Sequence, residues 1–262
     1  MLLNFLFAFD GHDWILSKQI FESVGDLRGK VVGDIGCGWG NFSFKLAKYA
    51  RFVYGVDKRK NVIGRLKGTN RSNIKFMFSD AQKLPFKNNF FDVLIYRDVL
   101  EHIEDDKKAI NEGLRVLKRG GLLVMSVPNK TFVENYNFPV SRALKKTFLG
   151  KHHVIACDGD NFQEAFFKNF NKYVGHKNFY TIEEFQGSKR YRLVKCLNTY
   201  NGVSKYVVEF LSFKGNFNPK RRSFLIIKLL SLLLLFPSLF YDEFVRPNKN
   251  QGFGFVLSLK KI

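Results

Sequence analysis

Short apolar runs and longer runs with helical spacing alternate along the first half of the chain. Val31–Ile35, Phe52–Val56, Ile74–Phe78, Asp92–Tyr96 and Leu122–Val127 each read as a strand, and Pro128 stops the last. Between the first two, Asn41–Tyr49 places Phe42, Leu46 and Tyr49 on one helical face. Lys107–Lys118 does the same with Ile110, Leu114 and Leu117, and Gly120-Gly121 ends it. A helix is predicted over residues 13–26, ahead of the first strand. Later on, an amphipathic helix is predicted over 162–173, and Thr181 with Glu184 forms a capping box that should start another. Tyr191–Thr199 reads as a sixth strand and Gly254–Lys260 alternates weakly as a seventh. Strands alternating with helices at these intervals imply parallel β-α-β units with right-handed crossovers. The strand C-termini then share one edge, and ligands bind outside it. Asp57, Asp80 and Arg97 all fall on that edge.

The first strand runs into Gly36-Cys37-Gly38-Trp39-Gly40. Glycines at alternate positions let the backbone approach a ligand closely. A dinucleotide fingerprint, G-x-G-x-x-G, would need glycine at position 41, which is Asn41. Asp34 precedes the turn, and Asp57 closes the second strand 21 residues after Gly36. Asp80-Ala81 follows the third strand. Leu84-Pro85-Phe86, Phe90-Phe91-Asp92-Val93, Asp98-Val99-Leu100-Glu101-His102-Ile103 and Leu114–Gly121 then come in order. This ordered series resembles the class I S-adenosylmethionine (SAM) methyltransferases, and within them the small-molecule branch near the quinone-biosynthesis enzymes. The resemblance covers residues 28–130 well and 176–200 weakly.

That resemblance implies a three-layer α/β sandwich around a seven-stranded, mostly parallel sheet whose last strand is antiparallel, with a helical cap. It implies SAM as cofactor. An acid at the end of strand two would accept from the ribose hydroxyls, hence Asp57, with Lys58 beside it. Asp80 would accept from the adenine amine, and the Ala81 N–H would meet a ring nitrogen. Gly36, Cys37, Gly38 and Gly40 would cradle the methionyl and ribose portion. Asp34, together with Tyr96 or Arg97, would hold the methionyl amine and carboxylate; an arginine at 97 departs from the small residue expected there. His102, just past strand four, is the candidate general base, work for which histidine as a residue type is suited. Asp98, Glu101 and His102 are an alternative divalent-metal set, because positions i, i+3 and i+4 share a helical face. His152, His153 and His176 are read as surface or capping residues.

Composition adds a direction and several exclusions. The 262 residues form a single methyltransferase domain in this reading, with a cofactor core at 28–130, an acceptor-binding insertion at 131–180 and a basic-apolar cap at 203–250. Forty-three Lys and Arg against 23 Asp and Glu give a net charge of +20, which draws the protein to polyanions. Cys37, Cys157 and Cys196 are too few and too far apart for a disulfide framework, which fits a reducing cytoplasm. Met1–Phe9 is apolar without a basic leader and is read as a helix packed on the domain or forming a lid. Phe224–Phe240 is almost wholly apolar, is interrupted by Lys228, Ser231 and Pro237, and follows Lys220-Arg221-Arg222. Three readings stand for it: a buried helix of the C-terminal region, a membrane span, and the favoured one, an interfacial helix by which 220–241 would meet an anionic membrane on its cytoplasmic face. The segment after strand four has no Asn/Asp-Pro-Pro-Tyr and no Pro-Cys, so nucleic acid is not the expected substrate. The expected activity is methyl transfer to oxygen or carbon of a small-molecule, lipid-linked or glycan acceptor. The rivals are an RNA methyltransferase drawn to its substrate by the basic surface, and a SAM-binding regulatory subunit without turnover.

Overall fold

The computed structural model describes residues 11–69, 71–131, 176–199, 252 and 254–262. The expectations for the N-terminal lid, the 162–173 helix, the helical cap and the 220–241 segment lie outside these residues. The chain divides into two compact units. One comprises Leu16–Lys130, Lys177–Leu197 and Phe255–Ile262; the other comprises Met1–Ile15, Thr131–His176 and Asn198–Gly254. The first unit carries the glycine turn, Asp57 and Asp80.

Helix α1 (Gly11–Val24) leads into β1 (Val31–Ile35), α2 (Asn41–Leu46), β2 (Phe52–Asp57), α3 (Lys60–Leu66), β3 (Ile74–Phe78) and β4 (Phe91–Arg97). Helix α4 (Asp106–Val116), β5 (Leu117–Pro128), β6 (Tyr191–Thr199) and β7 (Gly254–Lys261) complete the order. The sheet runs β3-β2-β1-β4-β5-β7-β6; it is mostly parallel, with the last strand antiparallel. β1 lies between β2 and β4, and chain direction reverses there: the chain moves outward through β2 and β3, then returns to β4 on the other side. Such a switch point opens a crevice at the strand C-termini.

The pattern of burial explains why the strands form where the sequence predicts them. All five residues of β1 are buried, as a strand covered on both faces requires. Phe91, Leu94, Tyr96, Leu114, Leu123 and Met125 are among the side chains of the core between the sheet and α4. Rings of Tyr54, Phe86, Phe90 and Phe91 pack at centroid distances of 4.7–5.9 Å. Arg115 ties this cluster to α4. It pairs with Glu112 and donates to the carbonyls of Leu84 and Phe86, while Glu112 accepts from Leu84 N.

Several boundaries differ from the sequence pattern. Helix α2 ends at Leu46, not Tyr49, and Tyr49 is exposed. Helix α4 ends at Val116, because Leu117 already pairs with Phe91; β5 starts there and absorbs Gly120-Gly121 as an irregularity. The predicted helix from Thr181 is a single 3-10 turn, Glu183–Phe185, followed by Gly187 at φ +70°. Half of the capping box forms nonetheless, with Thr181 N donating to Glu184 Oε1 at 2.9 Å. Helix α3 has no counterpart among the predicted elements. At the end of β5 the chain is pinned on both sides of its long excursion: Asn129 bridges Tyr180, Lys130 N donates to Tyr180 O, and Tyr180 N donates to Pro128 O.

Candidate functional site

The turn after β1 explains its own glycines. Gly36, Gly38 and Gly40 have φ of +76°, +54° and +77°, a left-handed region that side chains disfavour. Two of them also lack room. A Cβ on Gly36 would lie 2.3 Å from Val99 Cγ2, and one on Gly40 would lie 2.8 Å from the Phe76 ring. The turn is fastened to β2, since the N–H groups of Gly36 and Cys37 both donate to Val56 O. Gly38 N donates to Asp57 Oδ2, and Gly40 N to Cys37 O. These N–H groups therefore shape the turn by bonding to the protein itself, and what the glycines supply toward a ligand is close approach. Cys37 is buried, and burial followed by the charges of Asp34 and Asp57 pushes its thiol far above its ordinary pKa, so it is no nucleophile.

A cavity of about 510 Å³ opens at the C-terminal ends of β1, β2, β3 and β4. This is the size range of small-molecule sites. Gly36, Asp57, Lys58, Asp80, Ala81, Asp98 and His102 line it together, along with Arg59, Ser79, Gln82, Val99, Ile103, Glu104 and Lys177. Asp57 is 5% exposed. Burial alone would raise its pKa, but hydrogen bonds from the Arg59 side chain, Arg59 N and Gly38 N outweigh that and hold it below the usual carboxylate range. Asp80 is exposed, and its Oδ1 accepts from Gln82 N at 2.8 Å.

Asp34 and Arg97 are not among the residues that line this cavity. Asp34 is 2% exposed and accepts from Ser43 Oγ at 2.5 Å. Burial pushes its carboxyl up to about 6, against the pull of Ser43 and of the Arg97 charge. The Arg97 guanidinium sits 5.0 Å from the centroid of the Phe42 ring. Tyr96 does not join them. Its side chain is fully buried and its hydroxyl donates to Ala109 O at 2.9 Å, so it anchors α4 and leaves only its backbone at the strand end.

The alternative metal set is not assembled. Glu101 and His102 bring ligand atoms within 4.8 Å of each other, on the 3-10 turn Leu100–His102. Asp98 is outside that group; it has φ +52° and takes the Ser126 hydroxyl on Oδ1 at 2.6 Å. Glu101 is 3% exposed, and its Oε2 has no hydrogen-bond partner among the described residues. Burial and the Asp98 charge push its carboxyl up to about 8. His102 is exposed on the cavity wall, where the sequence placed a base. The residue that sequence reasoning missed is Arg59. Its signal was the run Asp57-Lys58-Arg59-Lys60, which puts cations directly after the acid.

Comparison with known proteins gives this geometry a context. Residues 33–125 match the family described as a methyltransferase domain. A demethylmenaquinone methyltransferase of Staphylococcus aureus (strain MRSA252) is 32% identical over 127 residues, which is 47% of this chain and 52% of that protein. The chain thus spans about half the length of the curated relatives it matches. Among solved structures, an S-adenosylmethionine-dependent methyltransferase from Mesorhizobium loti superposes with a TM-score of 0.55 at 13% identity, covering 98% of this chain and 100% of that one. The [4+2]-cyclase SpnF superposes with a TM-score of 0.52 at 17% identity, covering 94% and 80%. Both show the fold, and a cyclase among them shows that this fold hosts more than one chemistry. Residues 33–125 are thus similar to the methyltransferase domain, the stretch matched to the demethylmenaquinone methyltransferase carries that similarity toward the quinone-biosynthesis enzymes, and the chain has the fold of its S-adenosylmethionine-dependent structural neighbour.

Proposed function

We propose that the protein transfers the methyl group of SAM to an oxygen or carbon of a small, lipid-linked acceptor. One observation carries this reading. The Asp57 carboxylate, the Asp80-Ala81 turn and the His102 ring converge on a single cavity beside a glycine turn closed by Val99. Asp57 would orient the ribose, Asp80 and Ala81 the adenine edge, and Asp34 with Arg97 the amino acid end. SAM supplies an electrophilic methyl. The chain supplies alignment of the acceptor and exclusion of water, which account for much of the rate in such displacements. His102 would take a proton from a hydroxyl acceptor. The match to a demethylmenaquinone methyltransferase supports a lipid-linked acceptor.

An anionic membrane surface is the partner proposed with this reading. The basic-apolar residues 220–241 support it from the sequence, and the described residues add a run rich in exposed cations over 45–75. Among the described residues no helix is long and apolar enough to cross a membrane. The test compares the lipids and glycans of cells with and without the protein by mass spectrometry. One lipid-linked species should become lighter by a CH₂ unit, and purified protein with SAM should restore it while releasing S-adenosylhomocysteine. Binding of SAM with no product from any lipid extract would refute methyl transfer and favour the regulatory-subunit reading.

A further inference from the structure

Asp57 accepts four hydrogen bonds. Its Oδ1 takes Arg59 N and Arg59 Nε, both at 2.9 Å. Its Oδ2 takes Gly38 N at 2.9 Å and Arg59 Nη2 at 3.0 Å. An ionised carboxylate offers about four lone-pair positions, so these donors fill it. Two of the four are fixed in place. Gly38 N belongs to the left-handed turn that Gly36 N and Cys37 N fasten to Val56 O. Arg59 N is set by the backbone two residues beyond the acid, at the cap of α3. The other two belong to a guanidinium on a side chain that is 51% exposed and can leave. A ribose diol brings two O–H donors, and the positions it needs are the two that the guanidinium holds.

We infer that Arg59 is a latch on the ribose subsite: guanidinium and ribose diol compete for Asp57, and the cofactor enters only as Arg59 swings away. The inference rests on the proposed reading of Asp57 as the ribose acceptor. The latch gives the unliganded acid a partner. Without the fork, a carboxylate 5% exposed would keep one backbone donor on each oxygen. With it, Asp57 stays ionised and oriented in the geometry it must present. The guanidinium also borders the glycine turn: among the described residues, chain neighbours apart, the one heavy atom within 4 Å of a Cβ built on Gly38 is Arg59 Nη2, at 3.5 Å. The latch also sharpens selection. A ligand with both hydroxyls replaces both guanidinium donors, whereas one lacking a hydroxyl replaces one and leaves the other position unfilled.

Calorimetry with S-adenosylhomocysteine tests this, since that probe carries no sulfonium charge to confuse the salt dependence. It would be titrated into the wild type, Arg59→Met, Arg59→Lys, Asp57→Asn and the Arg59→Met/Asp57→Asn double variant. Arg59→Met should bind about two- to five-fold tighter, the range expected for removing a competing, half-exposed ion pair. Arg59→Lys, which keeps the charge and loses the fork, should fall between it and the wild type. Raising the salt should strengthen binding to the wild type more than to Arg59→Met, because salt screens the latch. In the Asp57→Asn background, Arg59→Met should change nothing. Unchanged or weaker binding by Arg59→Met beside a wild-type-like Asp57 dependence would overturn the latch. Unchanged binding by Asp57→Asn alone would overturn the reading of Asp57 beneath it, a result separable from the first.

Discussion

In the role proposed for it, Asp34 would serve binding at the expense of stability. Its carboxyl is raised to about 6 from an ordinary value of 3.8, chiefly by burial. The folded state therefore holds a proton more tightly than the unfolded chain. The stability this contributes is fully present below about pH 4 and is lost as pH rises through about 6. A ligand ammonium prefers the ionised form, so the binding role runs in the opposite direction. Asp34→Asn should therefore melt higher than the wild type at pH 8, by about 1–3 kcal/mol, while binding S-adenosylhomocysteine more weakly. In the wild type that affinity should fall as pH drops through about 6, and in Asp34→Asn it should be flat. Calorimetry and thermal melts across pH 5–8 would check both, and a pH-independent wild type would count against the assignment.

Among elements, the glycine turn makes the sharpest forecast. Gly36 and Gly38 share a left-handed backbone, but only Gly36 faces a wall, the Val99 side chain. Gly38→Ala should cost about 1–2 kcal/mol, the strain of the backbone alone. Gly36→Ala should cost more, about 3 kcal/mol or above, because a methyl must also displace Val99. Adding Val99→Ala should recover the steric part and leave the backbone part, as urea melts of the three variants would show. Equal costs at the two glycines would contradict the packing described. The same elements mark what could be read from sequence. Strands buried on both faces, such as β1, declare themselves as apolar runs. Helix α3 did not, because Lys60 and Asn61 open it, Gly64 interrupts it and only Val62, Ile63 and Leu66 are buried. The positions of Asp57, Asp80 and His102 were legible because each follows a strand. The role of Arg59 was not, since it depends on a turn geometry that no spacing encodes. Tyr96 was misplaced because alternation along a central strand does not say which side meets a helix and which a ligand.

Charge is segregated at the scale of the whole molecule. Residues 45–75 hold ten lysines and arginines and one acid, Asp57, and so carry nearly half of the net +20. All ten are exposed or half-buried. Lys60, Arg65 and Arg71 lie over the rings of Phe78, Trp39 and Phe44 at 5.1–5.5 Å. Rings already covered by the chain's own cations are poorly placed to stack on bases, which favours a membrane over single-stranded RNA. Each cation held near an anionic bilayer adds about 1 kcal/mol. The protein should therefore co-sediment with vesicles containing anionic lipid and not with neutral ones, and should be released as salt rises to about 0.5 M. Lys48→Glu, Arg51→Glu, Lys67→Glu and Lys75→Glu together should weaken that binding and leave S-adenosylhomocysteine affinity intact. Retention on anionic vesicles by this variant would move the contact elsewhere in the chain.

The pairing of Asn129 and Lys130 with Tyr180 has a consequence for how such a protein could diversify. Pro128 and Lys130 on one side and Tyr180 on the other are joined by main-chain bonds of 2.8 and 3.1 Å. Main-chain bonds are indifferent to side-chain identity. The pairing at this junction therefore keeps its register whatever side chains stand at Asn129, Lys130 and Tyr180. The junction behaves as a socket, through which one methyl-donor engine could be fitted to many different recipients.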